Sequence, residues 1–94
     1  MAQNTTYDIA AKTWVLLTNS DVTEITFQNV SESDVWIKAT ADTTAPTTMG
    51  AALKYPPSMG ERKMAVVSLF PGLTGADRIW AFCDDPASVM VSHA

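Results

Sequence analysis

One cysteine and one histidine are all that this 94-residue sequence holds of the side chains that most often act as nucleophile, general base or soft metal ligand. A nucleophile needs a base beside it, and His93 stands one residue from the last, where chain ends are commonly mobile. Cys83 is followed directly by Asp84 and Asp85, whose charge opposes thiolate formation, so it reads as a small apolar residue at a strand end. One Cys and one His cannot build a transition-metal site. Nor can Cys83 form an internal disulfide, which fits folding in a reducing cytoplasm. The expectation is a chain with no catalytic residues, no cofactor and no metal.

Charge is sparse as well. Six Lys and Arg stand against ten Asp and Glu, for a formal net charge of −4, and only Arg62 and Lys63 are adjacent among the cations. Nucleic-acid binding is driven by neutralising phosphates with clustered cations, so that class is excluded. Long apolar runs are missing, and none approaches the roughly 20 residues of a spanning helix. The start, MAQNTTYDIAAKTW, has no basic segment followed by an apolar one, so no secretory signal is read and no membrane partner is expected. Asp84-Asp85 before Pro86 reads as a solvated turn, because no DxDxDG calcium pattern surrounds it. Gly72 and Gly75 belong to neither GxxxxGK[ST] nor GxGxxG, so no phosphate loop is assigned. The sequons at Asn4 and Asn29 read as chance matches without a secretion signal.

What is present is alternation. In Val22–Thr40, Ile25 and Phe27 oppose Glu24, Thr26 and Gln28; after the turn 29–34, Val35, Ile37 and Ala39 oppose Trp36, Lys38 and Thr40. That period of two is what a sheet with one buried face requires. Further strands are expected at Trp14–Thr18, Ala51–Tyr55, Arg62–Phe70, Arg78–Cys83 and Ala87–Ser92, separated by Pro, Gly and Asp turns. The expected fold is all-β: a small antiparallel sandwich or barrel of six to seven short strands. Residues 1–12 are expected to form an N-terminal arm and 13–94 a single β domain, with Thr40–Gly50 a Thr-rich loop. Three roles are open to Trp36, on an otherwise polar face: partner interface, second-face core, or a sugar contact.

The runs ITFQNVSESDVWIKATADTTAPTT and SLFPGLTGADRIWAFC and the closing VMVSHA carry one more piece of information. Over residues 13–94 the chain resembles a group of small virion proteins of tailed bacteriophages. In these an xVxxQNxSxxxVxI strand pair leads into a Pro/Thr loop, followed by LFPGxxGAxRxWA and an end near Val-Ser-His-Ala. The resemblance implies a head decoration (cement) protein that folds in the host cytoplasm, binds the major capsid protein or copies of itself, and stabilises the capsid surface. The residues expected at that interface are Trp36, Lys38, Thr43, Thr44, Thr47 and Thr48. Competing readings are a low-copy tail, neck or fibre-base component, a carbohydrate-binding β-sandwich module, and, least supported by the residues, a small hydrolase.

Overall fold

The computed structural model describes all residues, Met1–Ala94. Eight strands follow in order: β1 (Gln3–Ile9), β2 (Val15–Leu16), β3 (Glu24–Asn29), β4 (Val35–Thr40), β5 (Leu53–Tyr55), β6 (Gly60–Ala65), β7 (Arg78–Phe82) and β8 (Ala87–His93), with one helical turn, α1 (Val66–Leu69), between β6 and β7. They form two four-stranded sheets, β1-β8-β3-β6 and β2-β7-β4-β5, in which every pairing is antiparallel. The fold is therefore all-β, and it is an open sandwich rather than a closed barrel.

The pairings nest. β4 pairs with β5, β3 with β6, β2 with β7 and β1 with β8, as though one long hairpin had been rolled over itself. Eight strands in this order are a jelly roll, one of the ways an antiparallel protein packs two sheets face to face. Alternation puts Ile25 and Phe27 of β3, Val35, Ile37 and Ala39 of β4, and Ala87, Val89 and Val91 of β8 into the layer between the sheets. Phe27 meets Tyr55 edge to face at 4.9 Å, joining the two sheets across the core.

Five expectations are corrected. Residues 1–12 are not a loose arm, because Gln3–Ile9 pairs residue for residue with β8. Its alternation is hidden in the sequence because the core-side positions of this edge strand include Gln3 and Thr5. The run Arg62–Phe70 is not one strand. It leaves the sheet at Ala65, and Val66, Leu69 and Phe70 then turn inward at helical spacing while Val67 stays exposed. The Trp14–Thr18 strand is reduced to Val15–Leu16, and β5 begins at Leu53 rather than Ala51. His93 is not at a loose end: it is buried on the core side of β8, opposite Gln3.

A close backbone approach fixes the β3–β6 pair. Gly60 lies so near β3 that a side-chain carbon there would overlap the Phe27 carbonyl oxygen and come within 2.6 Å of Gln28 Cα. Farther along, the register shifts between Ile25 and Phe27, and Lys63, at φ 45°, donates its backbone N–H to Thr26 Oγ1 instead of to a backbone carbonyl (2.9 Å).

Candidate interaction groove

The second sheet is incomplete at one corner. β5 pairs only with Val35–Ile37, so Lys38–Thr40 of β4 continue past its end with no strand on that side. A groove of about 810 Å³ occupies the place. Lys38, Ala39 and Thr40 contribute one part of its lining, Thr44 to Thr48 and Ala51 a second, and Leu69 to Leu73 the third. Its surface is mostly apolar atoms and threonine side chains, and Lys38 is its one charged residue.

Local hydrogen bonds shape each part. Thr40 Oγ1 donates to Asp42 O (2.7 Å), and the Thr44 N–H donates to Asp42 Oδ1 (2.9 Å), an Asx-type turn that starts the Thr-rich loop. Lys38 Nζ donates to Thr48 O (3.1 Å) and ties the loop back to the strand. Trp80 Nε1 donates to Thr40 Oγ1 (2.8 Å), so the buried indole of β7 steadies the end of β4. On the far side the Leu73 N–H donates to Phe70 O (3.0 Å), closing the turn after α1. Apolar side chains stand open nearby: Leu73 in the groove, Met49 in the Thr-rich loop and Val67 on α1, exposed by 46%, 37% and 68%.

Of the six residues expected at an interface, Lys38, Thr44, Thr47 and Thr48 come together here. Thr43 is exposed just outside the lining, and Trp36 lies two residues back along β4. Trp36 is half-buried on the outer face between its cross-strand partners Lys54 and Phe82, with Lys54 Nζ 5.8 Å from its ring. Trp14 stacks on Phe82 at 5.1 Å with the planes 44° apart, so these rings form no flat platform. The wall built by Leu69 to Leu73 is absent from the sequence-based set. Its only signal is the motif SLFPGLTGADRIWAFC itself, since nothing local says that it meets residues 38–51.

The side chains that could do chemistry are dispersed. Cys83 is wholly buried, its thiol facing Ala10 O (3.4 Å) and Ile9 O (3.6 Å). Burial pushes that thiol up from its ordinary pKa, and Asp84 and Asp85 add to the shift. His93 lies at the other end of β1, beside Gln3, roughly 20 Å away at the usual rise per strand residue. Its Nδ1 faces Ala94 O (2.9 Å), and its buried Nε2 has no partner. No three His, Cys, Asp or Glu side chains converge on one point. Tyr55 is held far above the usual phenol range by burial, then by its hydrogen bond to Glu61 (3.0 Å) and that carboxylate's charge.

The QN of the resemblance has a structural use. Asn29 is buried, and its Nδ2 donates to Tyr55 O (3.0 Å) and Ser33 O (2.6 Å). Its Oδ1 accepts from the Ser31 N–H (3.0 Å) and Ser31 Oγ (2.7 Å). One amide thus fixes the β3–β4 turn and ties it to the end of β5 in the opposite sheet. Set against known proteins, the chain matches no family model, no curated protein and no solved structure.

Proposed function

We propose that this chain is a non-catalytic structural protein of a tailed-phage particle, a head decoration (cement) protein that binds between major capsid subunits and stabilises the shell. One observation carries the reading: the two motif segments that resemble phage virion proteins, separated in sequence, line a single groove. Thr40–Gly50 supplies one side and the LFPGL run the other. The jelly-roll order is compatible, since that architecture serves viral capsids among other uses, although fold alone never fixes function.

The groove suits a neighbour's extended segment or loop, which would lie beside the unpaired part of β4 and cover Leu73 and the adjoining apolar side chains. Fully burying one such side chain contributes about 1.5–3 kcal/mol, and these are already partly covered, so a single contact is weak. Repetition over a symmetric shell converts weak contacts into a durable one. The test is the number of copies of this chain per major capsid subunit in gradient-purified particles, measured by quantitative mass spectrometry. A simple whole-number fraction supports a cement role. A handful of copies per particle moves the protein to the neck or tail, and absence removes the virion reading.

A further inference from the structure

Four strands form the outer edges of the two sheets: β1 and β6 in one, β2 and β5 in the other. Three are protected against stray pairing. β2 has two residues and β5 three. β6 carries Glu61, Arg62 and Lys63, a register shift, and a left-handed residue at Lys63. Shortness, charge and bulges are the usual devices that keep an edge unpaired.

β1 is neither short nor bulged, and it is nearly uncharged. It runs seven residues, QNTTYDI, with no Pro, Gly, Lys or Arg and with Asp8 as its single charge. Its register with β8 is unbroken from Gln3 opposite His93 to Ile9 opposite Ala87, and β8 is its only hydrogen-bonded neighbour. Thr5 lies on the core side yet is exposed, and so are Asn4 and Thr6 on the outer side.

We propose that β1 pairs antiparallel with β1 of a second copy about a two-fold axis at Thr6. In that register Thr6 meets Thr6, Thr5 meets Tyr7, Asn4 meets Asp8 and Gln3 meets Ile9. Every residue of the strand finds a partner, and each Asp8 carboxylate, which already accepts from Ser88 Oγ (2.9 Å), faces an Asn4 amide donor. A parallel pair would set Asp8 against Asp8, so charge selects the antiparallel one. The contact is isologous and closes at two copies. It also leaves the groove free. β1 lies on the β2 side of the sandwich, where Gln3 Nε2 donates to Leu17 O (2.5 Å), whereas the groove borders β4 on the side where β5 pairs. The pair therefore joins the two β1-β8-β3-β6 sheets into one continuous eight-stranded sheet and keeps both grooves open on the opposite sheets.

The test uses the full chain. Opposed residues of antiparallel strands have Cα atoms about 4.5–5.5 Å apart, within disulfide range. Thr6→Cys is expected to give an oxidised dimer, with Cys83 silent because it is wholly buried. Asn4→Cys and Asp8→Cys are each expected to form no disulfide alone and to cross-link when mixed. In sedimentation equilibrium up to about 1 mM, Thr6→Lys is expected to weaken self-association about tenfold and Thr6→Tyr to strengthen it, with unchanged circular dichroism. The proposal is overturned if the parent chain stays monomeric throughout and Thr6→Cys does not cross-link. It is equally overturned if the Asn4→Cys and Asp8→Cys variants cross-link alone as readily as together.

Discussion

Replacing Asn29 tests most directly how the two sheets are held together. Asn29→Ala deletes four hydrogen bonds and strands the donors and acceptors they satisfied: Tyr55 O, Ser33 O, and the Ser31 N–H and hydroxyl. The bond to Tyr55 O is buried, and losing a buried partner costs about 1–3 kcal/mol. The other three are partly buried, and water can repair part of each, at about 0.5–1 kcal/mol apiece. The sum is about 2.5–6 kcal/mol, which at roughly 4–8 °C per kcal/mol for a domain of this size lowers Tm by about 10 °C or more. Asn29→Asp is the sharper variant. It keeps the acceptor for Ser31 but sets a carboxylate oxygen where Nδ2 stood, facing two carbonyl oxygens. Burial and those dipoles raise the folded-state pKa above the unfolded value of about 3.9. The stability of Asn29→Asp relative to the parent is therefore highest below about pH 4 and is lost as pH rises through the folded pKa. Urea unfolding between pH 4 and pH 8 measures both effects. The reasoning fails if Asn29→Ala costs less than about 1 kcal/mol, or if Asn29→Asp equals it at pH 7 with no pH dependence.

Three further outcomes are expected. Gly60→Ala forces a methyl onto the β3 backbone, which has no rotamer to yield; a loss of about 3 kcal/mol or more is expected, and a loss below about 1 kcal/mol would refute the close approach. The buried Cys83 thiol, with its raised pKa, contributes stability that is present below about pH 8.5 and declines as pH rises toward its folded pKa. Tyr55 adds a second decline above about pH 10, and Cys83→Ala should flatten the first decline only, as read from urea midpoints across pH 7–11. Leu73→Glu changes a half-exposed groove residue, so the isolated protein should keep its stability within about 0.5 kcal/mol while binding to stripped capsids falls; undiminished binding would place the contact elsewhere.

The parts of the fold that alternation can reach are legible in the residues. Ile25 and Phe27, then Val35, Ile37 and Ala39, are spaced by two and are buried on the face their spacing assigns. β1 escapes such reading because an edge strand places Gln3 and Thr5 on its core side, and polarity there imitates a loop. The run around Ala65 escapes for the opposite reason: MAVVSLF is apolar but for Ser68, and period two and period 3.6 look alike over seven residues. Half of the groove is legible too, since a Thr- and Pro-rich loop after a strand is an evident surface feature. Its other wall, Leu69 to Leu73, is not, because only the nested strand order brings that turn beside β4, and strand order rests on pairings between distant residues.

That nesting also dictates when the molecule can form. β8 lies between β1 and β3, and β7 between β2 and β4, so in each sheet a late-made strand separates two early ones. During synthesis the first two strands have no partner until β7 and β8, Arg78–His93, have emerged. Only the β4–β5 hairpin and its β3–β6 extension can assemble early, and every later pairing spans a longer loop. Contacts so distant in sequence place folding in the slow, millisecond-to-second class. A ribosome that stops short of β8 releases a chain whose N-terminal strand has nothing to hold it. Assembly of both sheets is thus gated by the arrival of β7 and β8, not by the strands made first.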